Sequence, residues 1–270
     1  MKKMVAVMFI LALLPVTTTV HAEPTSLKTQ AGSDIGLSLS SYQYQEPGLM
    51  SLKGGKMGLE FHTTKVLQND QFIRGDFRYA FGTVDYNSNG TGSKTGELDL
   101  YIEARVLIGK DWAINDAVLA AYTGFGYRYL FHDGQGISCN AGLCYFGYRR
   151  ESNYFYLPIG IIHRSSLKGQ ARLVGTLEYD HLLAGKQISR LSDGGAGYSD
   201  ATNHQSSGYG LKLSIMYEKG IWAVGPYAHF WNINNSGIVP EIRYGTPTGR
   251  YLWEPKNNTS ELGLKASQRF

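Results

Sequence analysis

Apolar and polar residues alternate along most of the chain with a period of two, the spacing of strands whose faces meet different surroundings. Ile35, Leu37 and Leu39 alternate with Gly36, Ser38 and Ser40, and Met57, Leu59 and Phe61 with Gly58, Glu60 and His62. In QFIRGDFRYAF, Ile73, Phe77, Tyr79 and Phe81 share one face, and Arg74, Asp76 and Arg78 the other. The clearest segment is ELDLYIEARVLI, where Leu98, Leu100, Ile102, Ala104, Val106 and Ile108 oppose Glu97, Asp99, Tyr101, Glu103 and Arg105. The pattern recurs over 119–131, 155–161, 172–180, 209–218 and 222–230. It returns in ELGLKASQRF, where Leu262, Leu264, Ala266 and Phe270 oppose Glu261, Gly263, Lys265, Ser267 and Arg269. Ten strands are predicted.

The connections alternate as well. Those over 46–55, 87–95, 133–152, 184–207 and 233–257 are long, and those over 67–70, 109–116, 166–169 and 218–220 are short. Long extracellular loops and short periplasmic turns are the asymmetry of transmembrane barrels. An even strand number returns both ends to one side. The strands over 71–86 and 117–132 run to about 16 residues where about 9–11 cross the hydrocarbon, so the excess should stand above it as a β-rim. A soluble sandwich would have shorter strands and more frequent turns. In lipid every backbone group must be paired, so the sheet must close. The expected fold is all-β: a single closed antiparallel transmembrane β-barrel of about ten strands.

The apolar stripe then faces lipid. The other face lines the lumen with Glu60, Arg74, Asp76, Arg78, Asp99, Glu103, Arg105, Arg128, Arg172, Glu178, Asp180, Lys212, Glu218, Glu261, Lys265 and Arg269. A ten-stranded interior is little wider than the eight-stranded kind that side chains fill. Opposite charges confined there should pair across strands, because an unpaired buried charge is costly. Size favours a salt-bridged core; a narrow pore lined by Arg and Glu is the alternative.

The first residues, MKKMVAVMFILALLPVTTTVHA, have the basic start, short apolar run and small-residue cleavage site of a signal peptide. Residues 1–22 are therefore expected to be removed, leaving 23–270 as the barrel domain. Loss of Lys2 and Lys3 lowers the formal charge from +4 to +2, too small an excess for a nucleic-acid partner. The two cysteines, Cys139 and Cys144, sit in GISCNAGLCYFG. In an exported chain this spacing predicts a local disulfide; a metal site would need more ligands than His132 nearby. No metal or cofactor is expected.

Leader, alternating strands, unequal connections, tyrosine-rich faces and terminal Phe270 together resemble the bacterial outer-membrane β-barrel proteins, over 23–270. The resemblance implies the Gram-negative cell outer membrane, contact with its lipid and lipopolysaccharide, and Phe270 as the signal read by the barrel-assembly machinery. Ten-stranded members include the omptin proteases and the adhesin OpcA, whereas porins of 16–18 strands are too large.

Omptins use acidic pairs and an Asp–x–His arrangement at the rim. The candidates here are Asp180 with His181, Asp85, and His132 with Asp133. Adjacent strand residues point to opposite faces, so Asp180 and His181 should not converge. Lipid A-modifying enzymes need a Ser or acid near a His on the outer wall, but His163, Ser165 and Ser166 fall at the short-turn end. No GxSxG, HExxH or P-loop spacing occurs. No catalytic residue and no enzyme activity are expected.

The loops remain. The fourth, Gly/Ser/Asp-rich, is expected to be mobile. The third would be stapled by Cys139–Cys144. The fifth carries Arg243, Tyr244, Arg250, Tyr251 and Trp253, a mixture suited to a host glycan, a protein surface or lipopolysaccharide phosphates. The expected function is a non-enzymatic surface protein, structural or adhesin-type. A porin-like channel is the alternative, and omptin-like proteolysis or lipid A modification is less supported.

Overall fold

Residues alternating between lipid and lumen satisfy their backbone only in a sheet without edges, and the chain forms one. The computed structural model describes residues 27–270; the expected signal peptide, 1–22, lies outside the described residues. The strands are β1 (Gly32–Glu46), β2 (Met50–Val66), β3 (Gln71–Ser88), β4 (Gly92–Ile114), β5 (Ala117–Asn140), β6 (Leu143–Ser166) and β7 (Ala171–Ser189). There follow β8 (Ala201–Gln205), β9 (Gly208–Lys219), β10 (Trp222–Ile233), β11 (Val239–Arg243), β12 (Thr246–Leu252) and β13 (Asn257–Arg269). Each wall strand pairs antiparallel with both neighbours, and β1 meets β13 from Asp34↔Arg269 to Gln45↔Asn258. Among the described residues the wall has ten positions, the eighth shared by β8 and β9, which pair in succession with β7.

The predicted loop boundaries need correction. Three of the long connections are strand: β1 and β2 are joined by residues 47–49, β3 and β4 by 89–91, and β5 and β6 by 141–142. They are two-sided ribbons wetted on both faces, so their alternation fades although their pairing continues. Their real turns are marked by left-handed backbone at Gly48, Ala141 and Gly142. At the other end GKDWAIND is not a turn throughout. β4 continues to Ile114, and Asn115 (φ 50°) makes the reversal. The fourth connection shortens to 190–200 plus β8. It is anchored to the wall: Asp193 accepts hydrogen bonds from Arg149 Nη2 (2.7 Å), Nε (2.8 Å) and backbone N (3.1 Å). The fifth folds as the β11–β12 hairpin.

The outer face carries the predicted apolar stripe in the open: Leu39 and Leu264 are each 64% exposed and Val106 is 62%. Tyr79, Phe81, Tyr127, Phe155, Tyr179, Tyr209 and Phe230 border it towards the ribbons, and Trp112 and Trp222 towards the short turns. An apolar band between aromatic girdles is the lipid-facing surface of a membrane barrel.

Inside, glycines make room for rings. Phe72, Tyr122, Tyr156, Tyr227 and Trp231 lie opposite Gly109, Gly160, Gly126, Gly263 and Gly210 on the next strand. A Cβ at Gly160 would stand 2.2 Å from Tyr122 Cζ, and one at Gly126 2.2 Å from Tyr156 Cζ. The large rings thus lie flat over neighbouring backbone, which lets a narrow lumen hold aromatic side chains.

Candidate functional site

The inner wall is layered. Nearest the short turns, Phe72, Leu107, Ala120, Tyr122, Ile162, Val174 and Met216 form a buried apolar layer. Below it, residues 28–30 cross the end of the barrel. Asp111 accepts from Thr29 N (2.5 Å), Thr29 Oγ1 (3.0 Å) and Arg164 Nη1 (3.2 Å), while Arg269 Nη2 donates to the Gln30 carbonyl (2.7 Å).

The middle layer holds most of the charged residues expected in the lumen. Glu261 accepts from Arg78 Nη2 (2.7 Å), Tyr227 Oη (2.8 Å), Ser40 Oγ (2.8 Å) and Tyr101 Oη (2.7 Å). Arg105 bridges Asp76 (2.7 Å) and Glu178 (2.5 Å), and Asp76 also pairs with Arg74 (2.5 Å) and His62 (2.7 Å). Lys212 contacts Glu103, Glu178 (3.2 Å) and Asp180 (3.3 Å). Arg128 reaches Glu103 (3.3 Å), and Lys265 reaches Glu60 (3.5 Å). Arg172 pairs with Glu218 nearer the short turns. Opposite charges are thus held within contact across the lumen, the arrangement that offsets their desolvation.

Toward the ribbons Tyr154, Tyr156, Leu182, Trp231 and Ile233 form a second buried layer, with Tyr156 edge-on to Trp231 at 5.1 Å. Tyr42, Tyr44, Leu52 and Val84 cluster at the same depth. Lys56 pairs with Asp99 (2.5 Å) beside them.

Above these layers lies a cavity of about 410 Å³, bounded by the ribbons and by residues 252–255. Its floor holds two charge clusters. Arg150 Nη2 donates to Glu46 (2.5 Å) and Glu254 (2.6 Å), and Tyr44 Oη reaches the same two carboxylates (3.1 and 3.0 Å). Burial pushes the Glu254 carboxyl above its ordinary range, and the neighbouring Glu46 adds to this against the opposing pull of Arg150. In the second cluster Glu97 lies 3.0 Å from Lys94 and 2.9 Å from His132, whose other nitrogen is 3.3 Å from Asp99. Tyr86, Tyr145, Phe146, Tyr148 and Trp253 contribute aromatic wall. His132 is thus held between the carboxylates of Glu97 and Asp99, whereas Arg150 Nε makes no hydrogen bond among the described residues.

Most of this floor was missed in the sequence. Glu46 and Arg150 fell inside supposed loops, and Lys56 just beyond one. The signal was present, since Tyr42, Tyr44 and Glu46, like Tyr154, Ser152 and Arg150, continue the inner-face parity of β1 and β6.

The fifth-loop candidates separate. Trp253 lines the cavity. Arg243 stacks instead on Tyr198 (4.8 Å) and Tyr244 (5.4 Å), and Arg250 and Tyr251 are exposed on β12. The candidate catalytic groups do not converge. Asp180 is fully buried while His181 points outward, and Asp85 accepts from Gly96 N (3.0 Å) at a bulge. Asp133 accepts from Gln135 N, and His163 is exposed on the outer wall. Cys139 and Cys144 are disulfide-bonded across the β5–β6 tip. Phe270 pairs with Ser33 through both backbone groups and is exposed. No group of three or more His, Cys, Asp or Glu among the described residues could hold a metal.

No family model and no curated protein matches the sequence. Solved structures do. The outer membrane protease OmpT from Escherichia coli superposes with a TM-score of 0.61 at 12% identity, covering 91% of this chain and 100% of that one. The β domain of the Bordetella autotransporter BrkA covers 89% of this chain and 100% of its own, at TM-score 0.43 and 13% identity. The translocator domain of NalP from Neisseria meningitidis covers 90% of each chain, at TM-score 0.38 and 11% identity. The likeness to OmpT is one of fold: this chain is a ten-stranded antiparallel barrel of the outer-membrane type.

Proposed function

We propose that this chain is an outer-membrane surface protein that neither conducts nor catalyses, and that it binds a ligand in the cavity at its extracellular mouth. The observation that carries this reading is the contrast along the barrel axis. Ion pairs and two layers of buried rings and aliphatic side chains occupy the lumen, while the cavity of about 410 Å³ lies among the ribbons. That volume falls in the range of small-ligand sites, roughly 300–1,000 Å³. The exposed apolar band supports membrane insertion, and the ribbon end is read as extracellular because long connections face outward in such barrels. The cavities deeper in the lumen, of about 100 and 160 Å³, are lined by the ion-paired residues themselves, which favours a filled interior over a channel.

The test is planar-bilayer recording on refolded protein, together with ligand screening against the folded barrel. A silent bilayer and a ligand that competes with chemical modification of the cavity support the proposal. Discrete conductance steps would overturn it, as would peptide or lipid A turnover by the purified chain.

A further inference from the structure

We propose that the outer wall carries a site for one anionic phospholipid of the leaflet on the short-turn side. Its phosphate is held by Lys65 and Lys110, and one acyl chain lies in a groove along β3, β4 and β5. The site is separate from the mouth cavity and belongs to the lipid-facing band.

Strand pairing brings the two lysines to one outward surface. β3 runs between their strands: Lys65 of β2 lies opposite Ile73, and Lys110 of β4 lies opposite Gln71, two residues further along. With strands about 4.8 Å apart and a rise of about 3.4 Å per residue, their Cα atoms stand about 12 Å from each other. Two lysine side chains can meet at one phosphate across that distance. Neither ammonium group has a hydrogen bond or ion pair among the described residues. The outward positions over 61–65, 71–77, 104–112 and 119–127 include no acidic residue, so the wall itself supplies no counter-charge. Trp112, two residues beyond Lys110 and exposed, marks this level as the membrane interface, where headgroups lie. A pair of unmatched cations at that depth is complementary to an anionic headgroup.

From the lysines a groove follows the wall towards the middle of the membrane. Its first part, about 390 Å³, lies beside Lys110 over Ala121 and Thr123. Its second part, about 520 Å³, lies over Gly75 and Ala104, with Phe77 and Phe125 raising its sides. The two parts follow one another on the same strands, since Ile108 in the first and Val106 in the second are successive outward residues of β4. Gly75 keeps the floor open: a Cβ there would come within 4 Å only of Thr63 Cγ2, at 3.5 Å.

The length of the groove names its occupant. From Gln71 to Phe77 it runs about 20 Å along β3, and at a strand tilt of about 40° this covers about 15 Å of depth. Half of a hydrocarbon core of about 30 Å is the thickness of one leaflet. Positive charge at the interface and an apolar trough one leaflet long are together the outline of a single anionic phospholipid.

The experiment uses the full barrel refolded in detergent, with folding verified by heat-modifiable gel mobility. Native mass spectrometry counts retained lipids during titration with phosphatidylglycerol, phosphatidylcholine or lipopolysaccharide. One phosphatidylglycerol should bind, at least about tenfold more tightly than phosphatidylcholine. The double variant Lys65→Gln/Lys110→Gln should lose that preference. Gly75→Leu should instead weaken both phospholipids by about tenfold and keep the preference, because it displaces about two CH₂ groups of the chain and leaves the lysines in place. Equal affinity for the two phospholipids in the wild type would overturn the proposal, as lysines that merely reach water give no selection. A preference that survives in the lysine double variant, or a Gly75→Leu barrel that binds like the wild type, would do the same. Displacement of bound phosphatidylglycerol by lipopolysaccharide would assign the site to the opposite leaflet and overturn it as well.

Discussion

Glu261 is the residue whose loss should most clearly expose the energetics of the lumen. Its side chain is 1% exposed and takes hydrogen bonds from Arg78, Tyr227, Ser40 and Tyr101. Glu261→Ala leaves Arg78 with Glu60 at 3.6 Å as its remaining carboxylate, and leaves Tyr101 without its acceptor. Breaking one side of a buried pair costs about 3–5 kcal/mol, and each unsatisfied buried hydroxyl adds about 1 kcal/mol or more. Glu60 recovers part of the first term, so a net loss of about 3–5 kcal/mol is expected. Glu261→Gln keeps an acceptor and should cost less. The assay is urea unfolding of the barrel refolded into lipid vesicles, followed by tryptophan fluorescence. Arg78→Ala and the double variant complete a cycle, in which the double loss should fall short of the sum by about 1–3 kcal/mol. A Glu261→Ala barrel within about 1 kcal/mol of the wild type, or strict additivity in the cycle, would refute the reasoning.

Three further outcomes can be checked. Gly160→Ala puts a methyl group against Tyr122, which donates to Glu178 at 2.6 Å, so the same unfolding assay should show a loss of about 1–3 kcal/mol; an unchanged midpoint would remove the steric argument. Hydrogen bonding to Arg149 holds the Asp193 carboxyl below its ordinary range, so its anchoring of residues 190–200 is complete above that range and is lost as pH falls through the lowered value. Amide exchange of that segment, corrected for intrinsic rate, should accelerate in acid and lose this dependence in Asp193→Asn; protection that is flat with pH would contradict the anchor. Reducing Cys139–Cys144 should increase proteolysis at the β5–β6 tip while leaving the barrel's unfolding midpoint in place, since the bridge closes a separation of five residues and stabilises only that turn, by about 2 kcal/mol. A fall in the global midpoint on reduction would show that the tip supports the whole wall.

Legibility in the sequence followed the contrast between environments. Over 98–108 one face meets lipid and the other the lumen, so Leu98 and Asp99 could be assigned to opposite sides from alternation alone. Along the ribbons both faces meet water, the contrast vanishes, and 133–152 read as a loop although Asp133 to Asn140 pairs with Leu143 to Arg149. The cavity floor lay on that border. Interior tyrosines added a second ambiguity: Tyr42 and Tyr44 are lumenal, whereas Tyr79 and Tyr179 lie on the outer face, and composition does not separate the two uses. Glu254 was beyond any periodic argument, because it follows the β11–β12 hairpin and reaches Arg150 only through tertiary folding.

The pairing of β1 with β13 has a consequence for how the barrel is built. Asp34 and Arg269 stand side by side although almost the whole chain separates them, so this contact carries a large loop-closure cost and should be among the last to form. A slip of one residue there would turn Leu262 inward and Glu261 towards lipid. Glu261, on the closing strand, must find Ser40 on β1, Arg78 on β3 and Tyr101 on β4 at once. The lumen can therefore serve as a checking device, in which three strands test the alignment of the last one before the wall is complete.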